Sequence, residues 1–514
     1  MTKNILWITA DQWRGDSLGC AGNSVIKTPH IDALAADGVR FARHYSPSSP
    51  CGPSRATMLT GMYPHNHRMV TNGTPLDGSL TNIALEMRKQ GYDPQLFGYT
   101  DVTPDPRHLA AADPELRSFE GVLPGFSAAE RFVEDSKRWL AWLRRQGYEV
   151  SRSGYDVIYR AVGGEGAAVS RPALYSAEHS DTAWMTDRVI DQLRFTENEP
   201  FFYHVSYLRP HPPFVAPEPY NRLYDPARMP LPTRADNWEE EGEQHPYHDY
   251  IVQQLPYGRF VIGEGEQPVS SLAPEEVQRI RAVYYGLISE IDAHVGRLIQ
   301  CLKAEGLYDD TLIILSSDHG ELLGDHHMFS KENYFESCYH IPLIIKPAGS
   351  EGSGWSPGAA VDAFTESIDL MPTILDLCGY PVPAQCDGRS LRPLLQGQVP
   401  ANWRDAVYAL LDFRDVESQC AERYFGLHHQ QCNFLSVRDE YFKYVHFAGL
   451  PNALYDLSKD PNELNNVAAD PAYQDVLLRY SQKLLSWRVS HDKGRLDHMK
   501  ATANGIAEGK RRFD

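Results

Sequence analysis

The sequence predicts an α/β protein: a mostly parallel sheet sandwiched between helices, then a smaller antiparallel sheet carrying one helix. Three observations predict it. Short apolar runs rich in β-formers, such as NILWIT at Asn4–Thr9, FFYHVSYL at Phe201–Leu208 and TLIILS at Thr311–Ser316, read as buried strands. These runs alternate with helix-length segments, the chain order of a parallel sheet covered on both faces. Near residue 400 the pattern turns to closely spaced short runs followed by a single helix.

Taken in order, Asn4–Thr9 is the first strand. Thr28 then caps a helix with Pro29 at its first position, and Gly38 stops it. Thr81–Gln90 repeats the device, with Gly91 as the stop. Gln95–Tyr99 is a strand, Asp181–Phe195 a helix and Phe201–Leu208 a strand. Pro274 opens a long helix through Glu305, and the strands Thr311–Ser316 and Ile341–Ile345 follow. Ala406–Leu411, Phe434–Val437 and Tyr441–Phe447 make the small sheet, and Tyr473–Val489 its helix. The expected organisation is a catalytic α/β unit over 1–400, a small α+β unit over 401–490, and a polar tail over 491–514 that is disordered or an oligomer arm. Two long segments, 149–183 and 209–273, do not fit the core and read as lid or binding loops.

Composition narrows the function. At 514 residues, 42% hydrophobic and 23% charged, the chain has ample material for a core. A net charge of −19 argues against a nucleic-acid partner, and any anion site must be a local cluster of cations or a metal. No run approaches the roughly 18 apolar residues of a membrane span. The apolar start meets Asp11 at once, which marks a strand rather than a signal peptide. The eight cysteines form no CxxC pair, so the expected address is a reducing cytoplasm.

In open α/β sheets, ligands bind beyond the carboxyl ends of the strands. The sequence places Asp11-Gln12, Gly98-Tyr99-Thr100-Asp101, Arg209-Pro210-His211-Pro212-Pro213 and Ser317-Asp318-His319-Gly320 there. Asp11, Gln12, Asp318 and His319 suit a hard divalent cation, Ca²⁺, Mg²⁺ or Mn²⁺, with the imidazole tilting the set toward Mn²⁺. Singly, Asp11 reads equally as a turn cap and Asp318 as a helix cap. His65, His67, His326 and His327 stay unassigned.

Cys51 lies in SSPCGPSRATMLTG. A cysteine is commonly a small buried hydrophobe, but Pro50 and Gly52-Pro53 make a turn that puts Cys51 at the start of a helix reaching Leu59 or Thr60. The free N–H groups and dipole there favour an anion, and Arg55 lies one turn on. This is a place for an oxyanion beside a nucleophile.

Cys51-Gly52-Pro53-Ser54-Arg55 followed by Thr60-Gly61 resembles the sulfatase signature, Cys-x-Pro-Ser-Arg, four residues, Thr-Gly. The resemblance runs from Asn4 to about Val489. It implies the alkaline-phosphatase-like fold with a small C-terminal sheet. It further implies that a formylglycine-generating system oxidises Cys51 to formylglycine, whose hydrate is the nucleophile. Asp11-Gln12 resembles the family's first metal pair, usually Asp-Asp, and Asp318-His319 the second; Cys51 completes the ligand set. His211 and Lys331 match its substrate-contacting histidine and lysine, with Arg55 as a further charge-stabilising group. CGPSR, HRMVTNGTPLD and GYTDVTPDPR look most like the bacterial arylsulfatase and phosphonate monoester hydrolase group, in which Asn72 matches an active-site asparagine. Tyr99 follows the phosphonate branch, whereas Asp101 matches neither the Gly-Lys-x-His of many arylsulfatases nor the threonine of that branch. The group's homo-oligomers make a dimer or tetramer the expectation.

The expected substrates are small, singly charged anionic esters, because Tyr99 and Asp101 stand where Lys and His would add positive charge. Sulfate monoesters rank first on the signature, with phosphonate monoesters and phosphodiesters as the alternative. A non-catalytic anion-binding protein predicts a broken metal set or a missing nucleophile, and this sequence keeps both. A thiol enzyme using unmodified Cys51 would leave the metal residues without purpose.

Overall fold

The computed structural model describes residues 4–133, 136–150, 158–163, 168–196, 199–349, 354–494 and 499–508. The strands are β1 Asn4–Asp11, β2 Val39–Phe41, β3 His44–Tyr45, β4 Pro94–Gly98, β5 Ser127–Arg131, β6 Phe202–Pro210, β7 Thr311–Ser317, β8 Leu343–Lys346, β9 Ala360–Val361, β10 Thr365–Glu366, β11 Val407–Asp412, β12 Asn433–Arg438, β13 Phe442–Phe447, β14 Ala453–Asp456, β15 Met499–Thr502 and β16 Gly505–Glu508. Helices used below are α1 Pro29–Asp37, α2 Cys51–Thr60, α3 Ile83–Lys89, α4 Asp181–Arg194, α5 Pro274–Ala304, α6 Leu370–Cys378 and α7 Gln474–Ser490.

The main sheet has eight strands in the order β5-β4-β6-β1-β7-β8-β2-β9. Among the described strands of this sheet, β8 alone runs against its neighbours, β7 and β2. Every residue of β1, β6 and β7 is buried, as central strands covered on both faces require. Alternation along β1 splits the core in two. Leu6, Ile8 and Ala10 join the cluster containing Val189 of α4 and Ile288 of α5, whereas Ile5 and Trp7 join Leu59 of α2, Ile83 of α3 and Ile374 of α6. This is the expected sandwich.

The second sheet is antiparallel in the order β11-β12-β13-β14. One face packs Val437, Tyr444 and Leu454 against Tyr480, Leu484 and Trp487 of α7. The other turns Phe434, Val445 and Phe447 into the main core. The sheet is thus the smaller C-terminal unit read from the sequence, with β14 as a fourth strand that its short ALYD run did not announce.

Element ends moved by local chemistry. α3 begins at Ile83, because the Asn82 side chain, rather than Thr81, accepts the Leu85 N–H; Thr81 instead hydrogen-bonds Glu86. The sequence reading has no element for β5 or for the β15–β16 hairpin. The hairpin lies in the stretch read as a tail, and its side chains from Met499 to Ala507 are exposed. Parts of 149–183 and of the tail lie outside the described residues.

Candidate active site

Four parallel neighbours, β4, β6, β1 and β7, deliver their carboxyl ends to one edge of the sheet. The register pairs Ala10 with Ser317, and Asp11 with Pro210. Asp11-Gln12, Tyr99 to Asp101, His211 and Asp318-His319 therefore emerge side by side. α2 enters from the other layer with Cys51 as its first residue and the extended Pro50 as its cap. Gly52 is required by crowding: a Cβ there would lie 2.7 Å from Met69 Cε and 3.0 Å from the Asp101 carbonyl oxygen.

Ligand atoms of Asp11, Cys51, Asp318 and His319 all fall within 4.8 Å of one another, and all four residues are buried. Asp11 divides its oxygens. Oδ2 accepts from Arg55 Nη2 (2.9 Å) and from the Tyr99 hydroxyl (2.7 Å), while Oδ1 faces Cys51 Sγ (3.9 Å) and His319 Nε2 (3.8 Å). Asp318 Oδ2 accepts from Arg55 Nε (2.9 Å), and its Oδ1 from the backbone N–H groups of Gln12 (3.0 Å) and His319 (2.9 Å). His319 Nδ1 donates to the Gly320 carbonyl (3.0 Å), which turns the Nε2 lone pair toward Cys51 Sγ, 3.1 Å away. Two carboxylates, an imidazole with its lone pair inward and residue 51 form a donor set that fits a hard divalent cation.

Electrostatics follow from burial and neighbours. Burial pushes the Asp11 carboxyl up, but Arg55, His319, Lys331 and the Tyr99 hydrogen bond outweigh it and hold Asp11 below its ordinary value. Burial, then Asp11, raises the Cys51 thiol well above its ordinary range, so the protein's own groups disfavour a thiolate. Burial, then Lys331, lowers His211 far below an ordinary histidine. His211 is therefore a neutral imidazole. Its Nδ1–H donates to the Pro212 carbonyl (2.6 Å), and its Nε2 accepts from Lys331 Nζ (3.3 Å). Burial works against the Lys331 ammonium, yet Cys51, Asp11, Glu332 and Asp318 raise it.

A cavity of about 290 Å³ opens over this cluster. Asp11, Gln12, Cys51, Asn72, Tyr99, Asp101, His211 and Lys331 all line it, so the structure brings eight of the sequence-predicted residues to one surface. Arg55, Asp318 and His319 lie beneath, fully buried. Asn72 sits at the rim and accepts the Gly52 N–H (2.8 Å) through Oδ1. The Tyr99 hydroxyl is spent on Asp11, and its ring lies under the Arg55 guanidinium at 4.3 Å. Asp101 has a left-handed backbone (φ +50°), is 2% exposed, and holds Oδ2 3.5 Å from Arg55 Nε. Burial raises its carboxyl well above the ordinary range; Asp11 and Glu120 add to this, and Arg55 opposes it.

Some lining residues were not foreseen. Phe119 and Glu120 come from the loop after β4, and Arg259 and Phe260 from the long 209–273 segment. No local motif marks them; only chain tracing brings them to the rim. Of the described residues in 149–183, none lines the cavity. Tyr159 and Tyr175 pack on Arg209 instead, the former with its ring 4.2 Å from the guanidinium.

The sulfatase family model matches residues 3–380, and the model of the N-sulphoglucosamine sulphohydrolase C-terminal region matches 324–490. The chain belongs to the sulfatase family. Within this alkaline phosphatase superfamily it is 40% identical over 510 residues to the multifunctional alkaline phosphatase superfamily protein PehA of Trinickia caryophylli, covering 98% of each chain. Among solved structures, the phosphonate monoester hydrolase of Agrobacterium radiobacter superposes with a TM-score of 0.94 at 46% identity, covering 99% of this chain and 100% of that one. SpPMH, the phosphonate monoester hydrolase of Silicibacter pomeroyi, does so with 0.94 at 42%, covering 100% of both. This sulfatase-family chain is a hydrolase of that superfamily's type, built on its fold, with a buried cluster able to hold a divalent metal. Among the described residues no helix is long and apolar enough to cross a membrane.

Proposed function

We propose that this chain hydrolyses singly charged esters, phosphonate monoesters and phosphodiesters foremost, through a divalent metal and a formylglycine made from Cys51. The observation that carries the reading is the convergence of Cys51 with Asp11, Asp318 and His319 under the cavity. The sequence ranks sulfate monoesters first. Whole-length likeness to two phosphonate monoester hydrolases reverses that order. Sulfate ester hydrolysis stands second, supported by the complete nucleophile signature and the family model.

Asp11, Gln12, Asp318, His319 and residue 51 would hold the cation, for which Ca²⁺ and Mn²⁺ suit the donor set best. When bound, the metal supplies Lewis-acid polarisation of the ester oxygens and of the hydroxyl on residue 51. The side chains do the rest. Arg55 holds one oxygen of each aspartate, Asp11 Oδ2 and Asp318 Oδ2, and so fixes both carboxylates at the cluster. The Lys331 ammonium stabilises charge on the non-bridging oxygens. Lys331 and the neutral His211, joined through Nζ and Nε2, stabilise or protonate the leaving oxygen. Asn72 meets the substrate from the rim and Asp101 from the buried lining, and Tyr99 acts through Asp11. Arg55 is consumed by carboxylates, so Lys331 and Arg259 are the cations left on the lining, which suits a monoanion better than a dianion.

Parallel kinetics on an aryl phosphonate monoester, an aryl phosphodiester, an aryl sulfate and an aryl phosphate test the proposal. The expected order puts the phosphonate or diester first and the dianionic phosphate last. A sulfate lead would move the assignment to the second reading, and a phosphate lead would sink the charge argument. Mass spectrometry of the peptide carrying residue 51 should find an aldehyde in place of the thiol; thiol retained in fully active protein would reject formylglycine chemistry. The proposal includes a formylglycine-generating system as maturation partner, a homo-oligomeric assembly, and a reducing cytoplasm, which suits eight cysteines none of which is disulfide-bonded.

A further inference from the structure

We propose that Glu321 is a positioning residue for the metal centre, holding the Gln12 amide with its oxygen, not its nitrogen, toward the cation. The inference rests on the reading of Gln12 as a metal ligand. An aspartate in that place needs no such help, because its two oxygens are equivalent ligands. An amide does need it: only Oε1 can bind a cation, and a flip of the side-chain amide presents NH₂ instead.

The surroundings of Gln12 leave it one orientation. Its Oε1 accepts from Lys331 Nζ (2.6 Å), and an ammonium can only donate. Its Nε2 donates to Glu321 Oε2. Glu321 is itself held, because its other oxygen, Oε1, accepts the backbone N–H groups of Leu323 (2.8 Å) and Ser330 (2.7 Å). It is fully buried. The backbone of Gln12 is pinned as well, by a left-handed φ of +68° and its N–H to Asp318 Oδ1. Glu321 thus ties the metal edge to the loop that presents Lys331. Glu321 itself does not line the cavity, whereas its partners Gln12 and Ser330 do, so its effect on the metal edge passes through Gln12.

The two backbone donors make the test sharp. In Glu321→Gln, the amide oxygen must face the N–H groups of Leu323 and Ser330. The new NH₂ then faces Gln12, and Gln12 must flip, turning its own NH₂ to Lys331 and the metal. Adding Gln12→Glu to that variant restores an acceptor at both ends of residue 12. The measurement is calorimetric titration of Mn²⁺ into metal-stripped full-length protein, with melting temperature as the folding control. Glu321→Gln should weaken Mn²⁺ binding about 10- to 100-fold, the usual cost of losing a partner that orients a ligand. The double variant should recover most of that loss. Gln12→Glu alone sets two carboxylates against each other and should bind less tightly than the double variant, a comparison that holds even if Glu321→Gln does not fold. Wild-type affinity in Glu321→Gln, or strictly additive effects of the two changes, would overturn the proposal. Failure of the wild type to bind Mn²⁺ would overturn the metal reading itself.

Discussion

At the scale of single residues, Asp101 carries the charge question. It sits on the lining beside Arg55, buried, with its carboxyl held well above the usual range by burial and by Asp11 and Glu120. A carboxyl raised in this way is neutral at low pH and becomes an anion as pH rises. Neutral, it can donate a hydrogen bond to an ester oxygen; ionised, it repels the anionic substrate. On the alkaline side kcat/KM should therefore fall, and Asp101→Asn should flatten that limb and recover about tenfold at its far end. Identical alkaline limbs in the two proteins would count against this role. The same residue shows what the sequence could not say. Asp101 is visible there as a departure from the expected motif, but its charge state depends on Arg55, Asp11 and Glu120 meeting it across three different segments.

Secondary-structure elements show a second buried acid at work. Glu290 lies midway along α5, fully buried, and is pushed up to about 8, first by burial and then by Asp181, with Ser180 and Arg209 opposing. The sign is that of a raised acid. Folding favours the protonated form, so stability is full below the unfolded value near 4.5 and is lost as pH climbs toward 8. The slope is about 1.4 kcal/mol per pH unit for one uncoupled group. Glu290→Gln should remove that slope, and its gain in melting temperature over wild type should widen between pH 5 and 8. A gain that stays constant across that window would refute the assignment. This acid shares Asp181 and Arg209 with the active-site edge, where Arg209 Nη1 holds the carbonyls of His211 (3.0 Å) and Pro213 (2.9 Å). α5 reads from sequence as an ordinary long helix; its polar join to the His211 loop does not.

For the whole molecule, the candidate metal cluster joins the sheet to one of its covering helix layers, with Asp11 ending β1, Asp318 following β7 and Cys51 opening α2. The two aspartates share one arginine, and a bound cation would relieve what remains of their repulsion. Chelation should therefore lower the melting temperature, and excess Mn²⁺ or Ca²⁺ should restore it. At a free-metal concentration a hundred times Kd the linkage is about 2.7 kcal/mol. An unchanged melting curve after verified metal removal would show that the cluster does not hold a stabilising cation.

The sequence by itself determined the fold class, the two sheets and most of the candidate residues that the structure gathers around one cavity. Those signals are local: apolar runs for strands, Thr-Pro and glycine for helix ends, and a nucleophile motif whose Pro, Ser and Arg lie within five residues. Parallel strand order then sends Asp11, Tyr99, His211 and Asp318 to one edge without further information. Tertiary structure alone decided how those residues divide their work. It spent the Tyr99 hydroxyl on Asp11, placed Arg55 beneath the site, made His211 a neutral acceptor and brought Glu321 behind Gln12. The reason is physical. Which side chain donates, accepts or ionises depends on burial and on partners up to about 300 residues away in the chain, such as Glu321 for Gln12. The rim residues Phe119, Arg259 and Phe260 were hidden for the same reason, since long segments without periodicity reach the cavity only through the folded path of the chain.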